Sequence, residues 1–273
     1  MFKTLPGFRE FYPEDCAKKN YIFAHWRNTA RSFGFVEFEP PVLEQLDLFT
    51  EKSGEEIKSQ LFEFVDKGGR AVSLRPEMTP SLARMVGAKA AGIRRPVKWF
   101  AIGENYRYER QQKGRLRAFF QYNADILGED SINADAEVIC LLVESLRSFG
   151  LTSSEFKLQS AGVEAELLTP VLSVVDKFEK VSQEALSEMM KDALAGSRVN
   201  AGDLISKKRK IISIRDVDSM RSAFPDSVEL GCKIDARIAD WKELLSILDS
   251  MGVGDFISPD LGIVRGLAYY TGF

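Results

Sequence analysis

Between Tyr106 and Gln121 the chain reads YRYERQQKGRLRAFFQ, a densely charged stretch whose two ends look like strands. Side chains alternate along a strand with a period of 2, so Arg107 and Glu109 share a side. On the returning run, Arg117, Phe119, Gln121, Asn123 and Asp125 fall on one face, and Phe120, Tyr122, Ala124 and Ile126 make the other largely apolar. The spacing therefore predicts a hairpin with one packing face and one working face. A planar guanidinium fork binds phosphate or carboxylate oxygens in pairs and stays charged. Two such forks, a ring, two amides, a carboxylate and a glycine-containing cationic loop at the tip are equipment for holding a phosphorylated nucleotide. An exposed hairpin of mixed charge is the plainer reading, and it leaves the apolar sequence on either side unexplained.

Elements must position that hairpin, and the composition bounds what they can be. With 273 residues, 45% of them hydrophobic, the chain can bury a sizeable core in one large domain or two smaller ones. Thirty-seven basic and 40 acidic residues give a net charge of -3, so any nucleic-acid binding must rest on local patches. Cys16, Cys140 and Cys232 lie far apart, and the single histidine is His25. This argues against zinc sites and against Cys-His or Ser-His catalysis. Cys140 lies in an apolar run and reads as a reduced core thiol. The N-terminus carries no long apolar segment, and no stretch approaches the ~20 apolar residues of a membrane span, which points to a cytoplasmic chain without a membrane partner.

Pro13-Glu14-Asp15 opens a helical pattern with Ile22, Trp26, Ala30 and Phe33 on its stripe and Gly34 as its stop. His25 sits beside that stripe, as a packing or surface histidine would. Strands are expected at Phe35–Glu39, cut off by Pro40-Pro41, at Leu61–Val65, Val72–Leu74 and Val97–Ile102, and in the hairpin. Thr79-Pro80 reads as an N-cap followed by a first-turn proline, opening a helix to Gly92, with Glu77 just outside its start. A further helix is expected from about Asn133 to Phe149, stopped by Gly150. The order suits an α+β fold with an antiparallel sheet flanked by helices. From 163 to 248 the pattern turns mostly helical, as in an inserted module. Lys207-Lys208-Arg209-Lys210 is its one dense basic run, more in keeping with a solvated face than with an RNA contact.

Together these segments resemble the histidyl-tRNA synthetase family of class II aminoacyl-tRNA synthetases. Gly34 to Glu44, with Pro41, resembles motif 1, and the hairpin resembles motif 2. LRPEMT at 74–79 and RGLAYYTG at 265–272 resemble the two histidine-recognising segments of this one family, and their joint presence makes the resemblance specific. It implies ATP-dependent activation of L-histidine to histidyl-adenylate and transfer to tRNA(His), with magnesium accompanying ATP and no protein ligand set for the metal legible. It implies a homodimer through motif 1. By position, Arg107 would grip the α-phosphate and the histidine carboxylate, with Arg265 as second catalytic arginine. Glu109 would meet the adenine, Phe119 would stack on it, and Arg115 and Arg117 would face the triphosphate or the tRNA end. Glu77, Thr79 and Gln121 would receive the amino group and neighbouring polar atoms, with Met78 beside them among the histidine-binding residues. Asp125, Tyr269 and Tyr270 would wall the imidazole.

Under that resemblance, 1–162 would form the catalytic core, 163–248 a helical insertion, and 249–273 the return to the core. Two positions depart from the pattern: Asp125 stands where glutamate is frequent, and Ala268 where many members carry aspartate. Motif 3 and the anticodon-binding domain would both follow Phe273, so the chain is expected to be an incomplete catalytic fragment. The rival reading is a synthetase-like regulatory subunit of ATP phosphoribosyltransferase, which borrows the fold without aminoacylation. Such a scaffold has no need for phosphate-facing arginines, and retention of Arg107, Glu109, Arg117 and Arg265 favours the enzyme.

Overall fold

A computed structural model describes residues 2–108, 114–160, 217 and 228–260, and the chain divides into two compact units, 1–130 and 131–273. In the first unit, α1 (Pro13–Ser32) starts with proline in its first turn beside Glu14 and Asp15, where the helix dipole favours negative charge. It stops as the glycine signal predicts. Gly34 takes φ +77°, its N–H donates to Arg31 O at 3.0 Å, and Phe35 N–H donates to Ala30 O at 3.0 Å. These two bonds make a Schellman end, which needs a left-handed residue where only glycine is unstrained.

Two three-stranded sheets follow. In the first, β1 (Val36–Glu37) runs parallel to β5 (Val97–Tyr106), which pairs antiparallel with β6 (Ala118–Leu127). The second has β4 (Ala71–Leu74) between β2 (Leu43–Gln45) and β3 (Phe62–Val65), all antiparallel. The hairpin's apolar face is the packed one, as alternation predicts: Phe23 meets Phe120 edge-on at 5.1 Å, and Trp26 stacks on Tyr122 at 5.3 Å. The expected α1 stripe needs one correction. Ile22 is 37% exposed, and its neighbour Phe23 faces the sheet with Trp26 and the buried Ala30.

Three further boundaries differ from expectation. Leu43–Gln45 forms a strand despite Pro40-Pro41, because the prolines end pairing with β5 and the chain past them starts a new ladder with β4 in the other sheet. A helix, α2 (Asp47–Lys58), was not anticipated; its apolar residues are sparse, and Phe49, 1% exposed, anchors it. Helix α3 spans Thr79–Ala88 and is capped by Met78 with no side-chain cap bond, so Thr79 is its first helical residue and it ends before Gly92.

The second unit holds α4 (Ile132–Arg147), α5 (Val228–Ser250) and a parallel pair, β7 (Leu158–Ser160) with β8 (Ile257–Pro259). Trp241, Leu244 and Leu248, spaced i, i+3, i+7 along α5, are fully buried, and Cys140 and Leu141 of α4 are buried too. Burial pushes the Cys140 thiol up to about 11, which keeps it protonated and inert, in line with a core role. The Gly252 turn ends α5 as Gly34 ends α1, with Val253 N–H donating to Leu248 O at 3.0 Å. The Lys207–Lys210 run and most of the expected insertion lie outside the described residues. No helix among the described residues is long and apolar enough to cross a membrane.

Candidate functional site

The working face of the first unit is built by the register of β5 on β6. Asn105 lies opposite Phe119, Gly103 opposite Gln121, Ala101 opposite Asn123 and Trp99 opposite Asp125. Paired residues share a face, so the odd-numbered side chains of both strands make one surface. Asn105, fully buried, donates from Nδ2 to Gln121 Oε1 at 2.6 Å. Its Oδ1 and that of Asn123 are buried with no hydrogen-bond partner among the described residues. Buried polar atoms are nearly always satisfied, so a row of orphaned acceptors is the mark of a surface awaiting donors.

At the far end of that row stands Asp125. Burial alone pushes its carboxyl from 3.8 up to about 6, and no described residue donates to it. Desolvation disfavours the charged form, and a bound N–H or cation would reverse that shift. At the near end, Arg107 leaves the sheet with its Nε donating to Pro76 O at 3.1 Å and its guanidinium 5.4 Å from the Phe119 ring centre. Its two terminal nitrogens have no acceptor among the described residues. A fork held at Nε and over a ring is pre-oriented, with its paired N–H groups left for an anion.

The 74–79 segment is fastened above this face by Arg75. That residue is 2% exposed, donating from Nε to Glu104 O at 3.0 Å and from Nη1 to Pro40 O at 2.6 Å. Its own N–H donates to Val42 O, and its carbonyl accepts from Tyr106 N–H, each at 2.9 Å. One side chain thus ties the motif 1 segment, the 74–79 segment and β5. Burial lowers the Arg75 pKa, against the opposing pull of Tyr106, Glu39, Glu104 and Glu44. Gly103 makes the room: a Cβ there would sit 2.5 Å from Arg75 Nη2 and 2.8 Å from Met78 Cε. Gly103→Ala is expected to cost about 1–3 kcal/mol by overpacking against a pinned guanidinium. Urea unfolding would read this, and an unchanged midpoint would contradict it.

Sequence reasoning placed several residues on this face, and their surroundings differ. Gln121 and Phe119 are part of the surface; Met78 is buried against Gly103, and Glu77 is half-buried in the turn before α3. Thr79 is exposed at the start of α3, and Arg115 is exposed beside Gly114. Arg117 lies 4.1 Å over the Tyr108 ring centre. Glu109, Arg265, Ala268, Tyr269 and Tyr270 lie outside the described residues. Sequence reasoning gave no role to Asn105, Gly103 or Arg75. Carrying the period of 2 back from Arg107 along β5 would have found Asn105 and Gly103. Among the described residues no group of three or more His, Cys, Asp or Glu side chains could hold a metal ion.

Comparison with known proteins bears on what this surface belongs to. A family model described as histidyl-tRNA synthetase matches residues 7–273. The histidine–tRNA ligase of Opitutus terrae is 48% identical, covering 100% of this chain and 64% of that protein. The chloroplastic/mitochondrial histidine–tRNA ligase of Arabidopsis thaliana is 38% identical, covering 97% and 55%. This chain therefore spans between about half and two thirds of the length of these relatives. Among solved structures, an ATP phosphoribosyltransferase regulatory subunit/histidyl-tRNA synthetase from Bacillus halodurans C aligns with TM-score 0.81 at 24% identity, over 100% of this chain and 71% of that one. The apo histidyl-tRNA synthetase of S. aureus aligns with TM-score 0.63 at 24% identity, over 100% and 60%. With the family model matched over nearly its whole length, the chain belongs to the histidyl-tRNA synthetase family.

Proposed function

We propose that the protein activates L-histidine with ATP and transfers it to tRNA(His), and that the odd-numbered face of β5 and β6 carries the first of these steps. One observation carries the reading: a single sheet face presents the fork of Arg107 at one end and the carboxylate of Asp125 at the other, neither of them paired among the described residues, with an amide row between them. Six residues at ~3.3 Å each set Phe119 and Asp125 ~20 Å apart along β6, room for a nucleotide joined to an amino acid.

In the proposed reaction a carboxylate oxygen of histidine bonds to the α-phosphorus as the bond to the pyrophosphate oxygen breaks, and pyrophosphate leaves. A hydroxyl of the tRNA terminus then takes the acyl group, and AMP leaves. Histidine supplies its own nucleophile, so the protein's work is alignment and charge stabilisation. The Arg107 fork would hold α-phosphate and carboxylate together, Phe119 would stack on the base, and Gln121 with the 77–79 segment would receive the amino group. Asp125 would accept from an imidazole N–H, which selects against ligands that leave it unpaired. Arg115 and Arg117 would face the triphosphate, Glu109 the adenine, and Arg265, Tyr269 and Tyr270 would complete the pocket. Magnesium would arrive with ATP as part of the substrate.

A homodimer through the motif 1 segment, a catalytic core at 1–162 and 249–273 and an insertion at 163–248 belong to the same proposal. Curated relatives named as ligases, at up to 48% identity, support it over the regulatory-subunit reading, as does the retention of Arg107, Arg117 and Arg265. The test is histidine-dependent exchange of labelled pyrophosphate into ATP. Exchange with histidine and not with the other amino acids supports the proposal; its absence, together with capture of a short phosphoribosyltransferase, would favour the rival.

A further inference from the structure

The N-terminal residues that precede α1 pack against the hairpin through Phe8 on Tyr106 and Phe11 on Phe120, and their backbone is hydrogen-bonded to it at the root of Arg117. Leu5-Pro6-Gly7-Phe8 is a turn closed by Phe8 N–H donating to Leu5 O at 3.1 Å, with proline second and glycine third at φ +87°. Those positions and that φ belong to a type II turn, whose third residue must be left-handed. The Gly7 carbonyl, presented by this turn, accepts from Arg117 N–H at 3.0 Å and Ala118 N–H at 3.1 Å. A Cβ on Gly7 would lie 2.8 Å from Arg117 Cβ, 2.7 Å from its Cγ and 3.0 Å from its Cδ. The collision is with the base of the arginine side chain, which cannot swing aside as a tip can.

The other side of the arginine is held as well. Its guanidinium lies 4.1 Å over the Tyr108 ring centre, Tyr108 packs edge-on to Phe62 at 5.2 Å, and Phe62 packs edge-on to Phe8 at 5.9 Å. Tyr108 N–H donates to Gln60 O at 2.7 Å, which fixes the ring's backbone. Contacts thus run from Gly7 through Phe8, Phe62 and Tyr108 to Arg117 and back to Gly7. A flexible arginine otherwise has several rotatable bonds to freeze on binding an anion, and this closed circuit freezes them beforehand.

We infer that Gly7 and Tyr108 are positioning residues that clamp Arg117 for an anionic, phosphate-bearing ligand. The inference rests on the proposed role of Arg117 toward ATP. It assigns work to a glycine and a tyrosine that the reading of the site leaves idle. Because both act through one arginine, their loss must be invisible once that arginine is gone.

Calorimetric titration of ATP and, separately, of histidine into the parent, Gly7→Ala, Tyr108→Leu, Arg117→Ala and the Gly7→Ala/Arg117→Ala double variant tests this. Each of the first two variants is expected to weaken ATP binding roughly 10-fold, the size of a misplaced charge-assisted contact. In the double variant ATP binding should match Arg117→Ala within about twofold, and histidine binding should stay within about twofold throughout. Circular dichroism establishes folding, and Tyr108→Leu, at a half-exposed site, keeps the test open if Gly7→Ala does not fold. Additive losses in the double variant, equal weakening of ATP and histidine, or unchanged ATP binding in the folded variants would overturn the inference. A parent that binds histidine and not ATP, or an Arg117→Ala chain that binds ATP like the parent, would instead remove the role of Arg117 on which the inference stands.

Discussion

Arg107→Ala is expected to lower histidine-dependent pyrophosphate exchange by about 10² to 10³, the usual loss when one pre-aimed donor is removed from a site of developing negative charge. The geometry argues for the upper part of that range. Arg107 is anchored through Nε to Pro76 O and lies over Phe119, so its two terminal nitrogens need no reorganisation to meet an anion. Arg107→Lys should recover little, because an ammonium cannot both hold Pro76 and offer a parallel pair of N–H groups. Steady-state exchange kinetics at saturating ATP and histidine would read the effect. A loss below tenfold would mean that the phosphate is held elsewhere and that this fork has a packing role.

Asp125→Asn should do two opposite things. The carboxyl is pushed from 3.8 up to about 6 by burial, so the folded chain takes up a proton that the unfolded chain releases. A raised acid contributes stability that is fully present below pH 3.8 and lost as pH rises through about 6. Above that, the buried ion burdens the ligand-free fold by about 1–3 kcal/mol, partial water access holding it toward the lower value. Asparagine carries no such burden. Thermal melts of the ligand-free chains should therefore coincide near pH 3.5, diverge between about pH 4 and pH 6, and differ above that by roughly 2–8 °C in favour of Asp125→Asn. The same change should weaken histidine binding roughly 100-fold, because a charged acceptor for the imidazole N–H becomes a neutral amide oxygen and the other carboxylate oxygen becomes a donor. A variant that is less stable at pH 8, or one that binds histidine like the parent, would show that Asp125 does not face the ligand.

The contrast between the two faces of β6 explains what could be seen in the sequence. Alternation from Arg117 to Leu127 gathers the polar residues on one face and leaves the other largely apolar, and the structure packs Phe120 and Tyr122 under α1 while Gln121, Asn123 and Asp125 stay on the other side. Glycine stops after α1 and α4 were legible for the same reason, since a left-handed residue leaves few alternatives. Longer-range devices were not. Arg75 looks like a surface cation in its sequence neighbourhood, and only the convergence of Pro40, Val42, Glu104 and Tyr106 around it makes it a buried tie. Gly103 is an ordinary strand glycine until two side chains from another segment lie across it. Helix α2 escaped because its hold on the fold comes through Phe49 rather than through a repeated apolar stripe. That Met78 packs against Gly103 was likewise set by the way the chain turns into α3 and not by its neighbours in sequence.

The most direct measurement of the central claim is calorimetric titration of L-histidine into the 273-residue chain at pH 7.5, beside Asp125→Asn and Tyr269→Phe chains. Saturable binding of histidine, absent with glutamine and phenylalanine, and lost in Asp125→Asn, is the predicted result. Equal heats for all three amino acids, or histidine binding that survives the loss of the carboxylate, would contradict the claim that this sheet face is a histidine pocket.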